Sequence, residues 1–122
     1  MNILNLTQHA ATAEQLLAGV VEPHPAAKLT VKEVLTFEEL PSAALILQRA
    51  ETLAMYASDH THVMIGGAPF FMGPLEQALR RRGVTPLYAF TRRETEEVHQ
   101  PDGSVKKTAV FKHAGFVWAV AP

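Results

Sequence analysis

Thr7, Gln8 and His9 place a hydroxyl, an amide and an imidazole directly behind the apolar run Ile3–Leu6. An imidazole in that position suits a general base or a donor to a phosphate oxygen; equally, it suits a packed loop residue. A second candidate is Gly66-Gly67-Ala68, which joins an apolar run to a helix-like stretch. A glycine turn there exposes backbone N–H groups at the positive end of a helix dipole, a common setting for phosphate. It lacks the lysine of a nucleotide-binding P-loop and the longer dinucleotide pattern, so it also reads as a tight turn with no ligand. Arg92-Arg93 and Lys112-His113 add cations. Neighbours on an extended segment point to opposite faces, so one member of each pair at most faces a given crevice, and both pairs also read as solvated surface. His60 and His62 have the spacing of a chelate on an exposed strand but no third ligand, and they read as solvent-facing. His24 and His99 carry no readable role. There is no Ser/His/Asp order, no catalytic carboxylate pair and no metal motif. What the residue types favour is a reaction run by positioning, cations and one imidazole. Phosphodiester cleavage by the substrate's own 2′-hydroxyl fits: the protein aligns the hydroxyl and stabilises charge on the phosphorane, with no metal or cofactor expected.

The elements that must carry these groups alternate between strand and helix. Ile3–Leu6 reads as a short buried strand. Thr12 and Gln15 have capping-box spacing for a helix that stops at Gly19. Residues 20–25 read as an extended piece broken by two prolines. "AAKLTVKEVL" has helical spacing, while its β-branched residues leave a strand open. Ser42 caps a helix over about 43–58. Val63–Ile65 is a strand, the double glycine a turn, and a helix follows to Arg80-Arg81-Arg82 and Gly83. Pro74 suits that helix in its first turn, which sets the start near Phe70 to Gly73. "VTPLYAF" returns as a strand, with Pro86 at its start or on a sheet edge. A hairpin over about 91–113 turns at Asp102-Gly103; its first arm is polar on both faces, so it projects into solvent or meets a partner. Glu94, Glu96 and Glu97 read as partners of the Lys106-Lys107 arm, and Phe116 to Trp118 should rejoin the body. The fold class is therefore α/β: a mostly parallel sheet flanked by helices, with a C-terminal β-hairpin, in one domain over residues 1–122. In such a sheet ligands bind beyond the carboxyl ends of the strands. Thr7–His9, Gly66-Gly67 and Arg92-Arg93 are each expected past one such end.

Composition bounds the rest. A chain of 122 residues buries roughly two thirds of its unfolded surface, enough for a real core. It has no cysteine, which removes disulfides, thiolate metal sites and a cysteine nucleophile. No basic-then-apolar leader is read at the start, and no apolar run approaches the roughly 20 residues that cross a bilayer. The expectation is a cytoplasmic protein without a membrane partner. Net charge is −1, yet residues 1–79 set Lys28, Lys32 and Arg49 against eight acids, while residues 80–122 set eight bases against four acids. A basic C-terminal part on a near-neutral protein suits a local anionic ligand rather than long nucleic acid.

In order along the chain, "TQHAATAEQ", "GVTPLYAFTRRE" and "DGSVKKTAVFKHAGF" resemble the small CRISPR-associated proteins of the ring-nuclease type. Those have a reduced CARF-like, Rossmann-like domain. They begin strand–Ser/Thr–His–x–x–Thr–x–x–Gln and close with aromatic–Lys/Arg–His–x–x–Phe. The likeness covers about 65 residues and leaves out about 20–60. It implies a homodimer that cleaves cyclic oligoadenylate, the tetra-adenylate foremost, without metal to linear products ending in a 2′,3′-cyclic phosphate. That reaction switches off type III CRISPR signalling. It also implies Thr7 and His9 near the ligand, Gly66-Gly67 against a phosphate, and Arg92 or Arg93 with Lys112 or His113 as cationic groups. Gln8 departs from the pattern by standing between hydroxyl and imidazole, which leaves open which side chain faces the ring. Two other readings remain: a cyclic-nucleotide binding module that does not cut, and a small Rossmann-like protein that interacts through its hairpin.

Overall fold

A computed structural model describes residues 1–121. Its nine elements are β1 (Ile3–Leu6), α1 (Ala13–Leu17), β2 (Val20–Val21), α2 (Pro25–Leu35), α3 (Ala43–Tyr56), β3 (His62–Ile65), α4 (Pro69–Arg81), β4 (Thr85–His99) and β5 (Val105–Trp118). They build one sheet in the order β2-β1-β3-β4-β5. The first four strands are parallel and β5 runs antiparallel to β4. This is a mixed α/β fold with a mostly parallel, doubly wound sheet and an antiparallel C-terminal hairpin. Because β1 is flanked by β2 on one side and β3 on the other, the chain reverses its direction of growth there. The carboxyl ends of β1 and β3 thus bracket a topological switch point, where side connections part and leave a crevice.

Local chemistry explains the elements. Thr12 caps α1, accepting from the Gln15 N–H at 3.1 Å while the Gln15 side chain accepts from the Thr12 N–H at 3.0 Å. Ser42 caps α3 by accepting from the Leu45 N–H. The segment that left helix and strand open is helical: Pro25 fits the first turn, and the His24 Nδ1 accepts from the Ala26 N–H as its cap. A role for His24 is thus visible only in the fold. At the end of α4, Gly83 takes φ +74°, and the N–H groups of Gly83 and Val84 close onto Arg80 and Leu79 carbonyls.

One expectation about proline is corrected, and another is narrowed to the strand start. The helix α4 begins at Pro69, not between Phe70 and Gly73, because a proline at the first helical position is already shaped for it. Pro74 consequently lies inside the helix, where one backbone hydrogen bond is missing. Pro86 is the second residue of β4 but not on an edge: β3 flanks it on one side, and on the other its carbonyl accepts from the Ala119 N–H at 3.0 Å.

The core lies on one face of the sheet. Leu4, Leu6, Val63 and Ile65 meet Val31 and Leu35 of α2, Ala50, Leu53 and Ala54 of α3, and Phe71, Leu75 and Leu79 of α4. The opposite face buries fewer apolar residues, Ile3, Val20, Met64 and Leu87, covered by Ala11 and by Phe116 of β5. The difference in cover is legible in the helices: α1 has five residues, none buried.

The hairpin is longer than expected and grows out of the sheet without a break. β4 is 15 residues and β5 is 14, paired from Leu87↔Trp118 to His99↔Val105. The register shifts between Phe90 and Thr91, where Ala114 is the unmatched residue. The turn is at Asp102-Gly103, with Gly103 at φ +89° and the Asp102 carboxylate accepting from Ser104. The last residues of β5 rejoin the body as the sequence indicated.

Candidate functional site

The turn after β1 is built around one buried polar residue. Asn5 is fully buried within the apolar run. Its Oδ1 accepts from the Thr7 N–H at 3.0 Å and from the Thr7 hydroxyl at 2.6 Å. Its Nδ2 donates to the His9 carbonyl at 2.8 Å and to Glu22 Oε1 at 2.6 Å. Lys28, from α2, donates to the Thr7 carbonyl at 2.9 Å and the His9 carbonyl at 2.8 Å, and lies 3.6 Å from Glu22. Glu22 also accepts from the Ala11 N–H. Burial alone would raise the Glu22 carboxyl, but the bonds from Asn5 and Ala11 and the nearby Lys28 charge hold it below the usual carboxylate range. Burial lowers the Lys28 ammonium against the opposing pull of Glu22. Asn5, Glu22 and Lys28 were not singled out from sequence. The signal was there in Asn5, a lone amide inside a strand otherwise fully apolar.

This turn forms one wall of a cleft of about 410 Å³ at the carboxyl ends of β1 and β3, beside the early part of β4. Thr7, Gln8, His9 and Ala10 line it beside Thr12 and Gln15 of the α1 cap, with Ile65 at the end of β3, Gly66 and Gly67 beyond it, and Tyr88 and Ala89 on β4. Gly67 has φ +152°, a backbone state that side chains disfavour, and a Cβ there would stand 3.5 Å from the Met72 Cε. Ala68 caps α4 without a side-chain hydrogen bond. Gln8 turns its amide to the Thr36 hydroxyl at 2.9 Å, which ties the wall to the end of α2. The His9 side chain is exposed. The Tyr88 hydroxyl donates to Glu76 at 2.5 Å, and Arg80 joins Glu76 to the Ala119 carbonyl. Burial, that bond and the Glu76 charge hold the phenol above its usual value.

The cationic candidates stand apart from the cleft. Arg92 and Arg93 are not beyond a strand end, because β5 continues to pair with β4 past Phe90 and the strand does not stop. The register puts Arg92 opposite Lys112 and Arg93 opposite Phe111, so the two arginines fall on opposite faces of the ribbon. Lys112 reaches Glu96 at 3.5 Å, while Lys107 is paired with Glu97 across the ladder. The His113 N–H donates to Glu14 of α1 at 3.1 Å, its ring packs edge-on to Phe116, and its Nδ1 is buried without a partner among the described residues. None of these four lines the cleft. His60 and His62 are half-buried rather than solvent-facing: His60 bonds Asp59, and His62 packs against Trp118. Among the described residues no three His, Asp or Glu side chains gather as a metal site.

A larger cavity of about 770 Å³ lies over the α2–α3 connection. Its walls set Glu33, Glu38 and Glu39 against Lys32 and Arg49, which disfavours an anion. The Arg49 guanidinium is already engaged by the Val34 and Thr36 carbonyls and lies over the Phe37 ring. No helix among the described residues is long and apolar enough to cross a membrane.

Comparison with curated proteins and with solved structures finds no match. A family model does match, over residues 1–117, so that it takes in both walls of the cleft and all but the last residue of the hairpin. The chain belongs to the family described as the Uncharacterized protein MJ1673 family.

Proposed function

We propose that the protein is a ring nuclease that opens cyclic oligoadenylate in the cleft between the Thr7–His9 turn and Gly66-Gly67. One observation carries the reading: two segments 57 residues apart in sequence, chosen for their phosphate chemistry, line the same crevice at the β1/β3 switch point. Thr7, Gln8 and Ala68 border the ligand, Gly67 allows its close approach to the backbone, and exposed His9 acts on the 2′-hydroxyl or its proton. The resemblance in residue order supplies the ligand class and the 2′,3′-cyclic phosphate product. Arg92 or Arg93, with Lys112 or His113, enters as the cationic set. Since these side chains stand outside their own cleft, they act on a site formed with a second copy, which makes a homodimer part of the proposal. The test is incubation with cyclic tetra-adenylate in a chelator, followed by chromatography. A linear product ending in a 2′,3′-cyclic phosphate is expected; an intact ring with excess protein overturns the nuclease reading.

A second reading, a module that binds the ring without cutting it, is favoured by the same separation of the cations from the cleft. It predicts a thermal shift with the ring and no product.

A further inference from the structure

The way Lys28 holds the turn after β1 has a geometric consequence. A trans peptide points the carbonyl of one residue and the N–H of the next in opposite directions, and no cis peptide occurs among the described residues. The carbonyls of Thr7 and His9 both turn to the Lys28 ammonium, at 2.9 and 2.8 Å. The N–H groups of Gln8 and Ala10 therefore point away from Lys28. Gln8 and Ala10 line the cleft and Lys28 does not. The neighbouring amides have partners inside the fold: Thr7 N–H donates to Asn5 Oδ1 and Ala11 N–H to Glu22 Oε1, each at 3.0 Å. The amides of Gln8 and Ala10 donate to no protein group among the described residues. Two donors on one turn are thus left for an acceptor in the cleft.

We propose that the Gln8 and Ala10 N–H groups form a phosphate-binding edge, with Lys28 acting from behind the turn as its positioning residue. An ammonium bound at a carbonyl oxygen draws electron density across the peptide group and leaves the N–H on the far side a stronger donor. Lys28 also fixes both peptide planes, so the donors are aligned before a ligand arrives. Glu22, 3.6 Å from the ammonium, offsets part of its charge and moderates the effect. Asn5 holds the His9 carbonyl from the same inner side at 2.8 Å. The site takes a phosphate monoester or diester; the choice of this chemistry over another anion rests on the reading of the cleft as a nucleotide site.

The probe is inorganic phosphate, followed by amide resonances of the isotope-labelled full chain. Saturable downfield shifts at Gln8 and Ala10 are expected. Phosphate that leaves both resonances unmoved overturns the site. Lys28→Met is expected to weaken phosphate binding about tenfold, the scale of one hydrogen bond to a charged group, with the remaining resonances in place. A folded Lys28→Met that binds equally well overturns the role of Lys28. If that variant does not fold, Glu22→Gln decides: it keeps an acceptor for the Ala11 N–H and removes the opposing charge, so tighter phosphate binding supports the proposal and unchanged or weaker binding overturns it. Phosphate shifts at Gln8 and Ala10 in a protein that leaves cyclic tetra-adenylate intact would keep this site and remove the nuclease.

Discussion

A histidine exposed on a turn costs the fold little when removed, so its loss reports on function. His9→Ala is expected to slow ring cleavage at least about 100-fold, the lower range for a general acid or base, while leaving the melting temperature near wild type. His60→Ala, at the far end of β3 beside Asp59, should leave the rate unchanged. Equal rates for both variants would place the chemistry elsewhere. Asn5 is the opposite case, a buried amide with four bonds to the turn and Glu22. Asn5→Leu leaves the Thr7 N–H and Glu22 without those partners, and urea unfolding should register a loss of about 1–3 kcal/mol. The network also carries a pH signature. Glu22 has a lowered carboxyl in the fold, so its contribution is complete above the unfolded value of 4.5 and is lost as pH falls through the folded value. Exchange of the Ala11 amide should therefore accelerate as pH falls below the unfolded value of 4.5 and through the lower folded one, relative to amides of the core strands.

Elements set where these residues end up, and here the sequence was uneven as a guide. Caps were readable: Thr12 with Gln15, and Ser42, are local devices whose spacing alone identifies them. Ser42→Ala is expected to cost about 1 kcal/mol, measured by urea unfolding, because the Leu45 N–H loses its acceptor. The two walls of the cleft were also readable, since a polar group directly after an apolar run marks a strand end. The arginines were not. "VTPLYAF" reads as one strand and the hairpin arm from about 91 as another, which put Arg92-Arg93 past a strand end, yet a single β4 paired with β5 runs on to His99. Tertiary pairing, not local composition, decides where β4 stops. The Lys28 bonds were invisible for the same reason: 21 residues separate Lys28 from Thr7, and only the return of α2 against β1 brings them together.

At the scale of the molecule, three helices cover one face of the sheet, while the other is packed by Ala11 and Phe116 and the five-residue α1 buries none of its residues. The ribbon beyond Phe90 is two strands with no third, a structure that is marginal in water by itself. It presents Phe111 at 67% exposure; on the body of the sheet Trp118 stands at 56% and Leu17 of α1 at 90%. A second copy would cover such surface, and a two-fold pair of identical patches suits a ring of repeated phosphates. Light scattering at tens of micromolar should give a dimer mass, and a monomer would remove the paired site. Arg93→Ala should slow cleavage although Arg93 lies outside its own cleft. Mixing it with His9→Ala should restore activity, because a hybrid dimer retains one site with both groups; two variants that stay inactive together would place Arg93 and His9 in the same chain's site. The central claim is that the ligand's phosphodiester sits between the Thr7–His9 turn and Gly66-Gly67. A crystal structure with 2′-deoxy cyclic tetra-adenylate tests it most directly, since the missing hydroxyl stops cleavage without removing the phosphates. The account predicts a phosphate against Gly67 and the Gln8 and Ala10 amides; a ring bound on any other surface, or not bound at all, would contradict it.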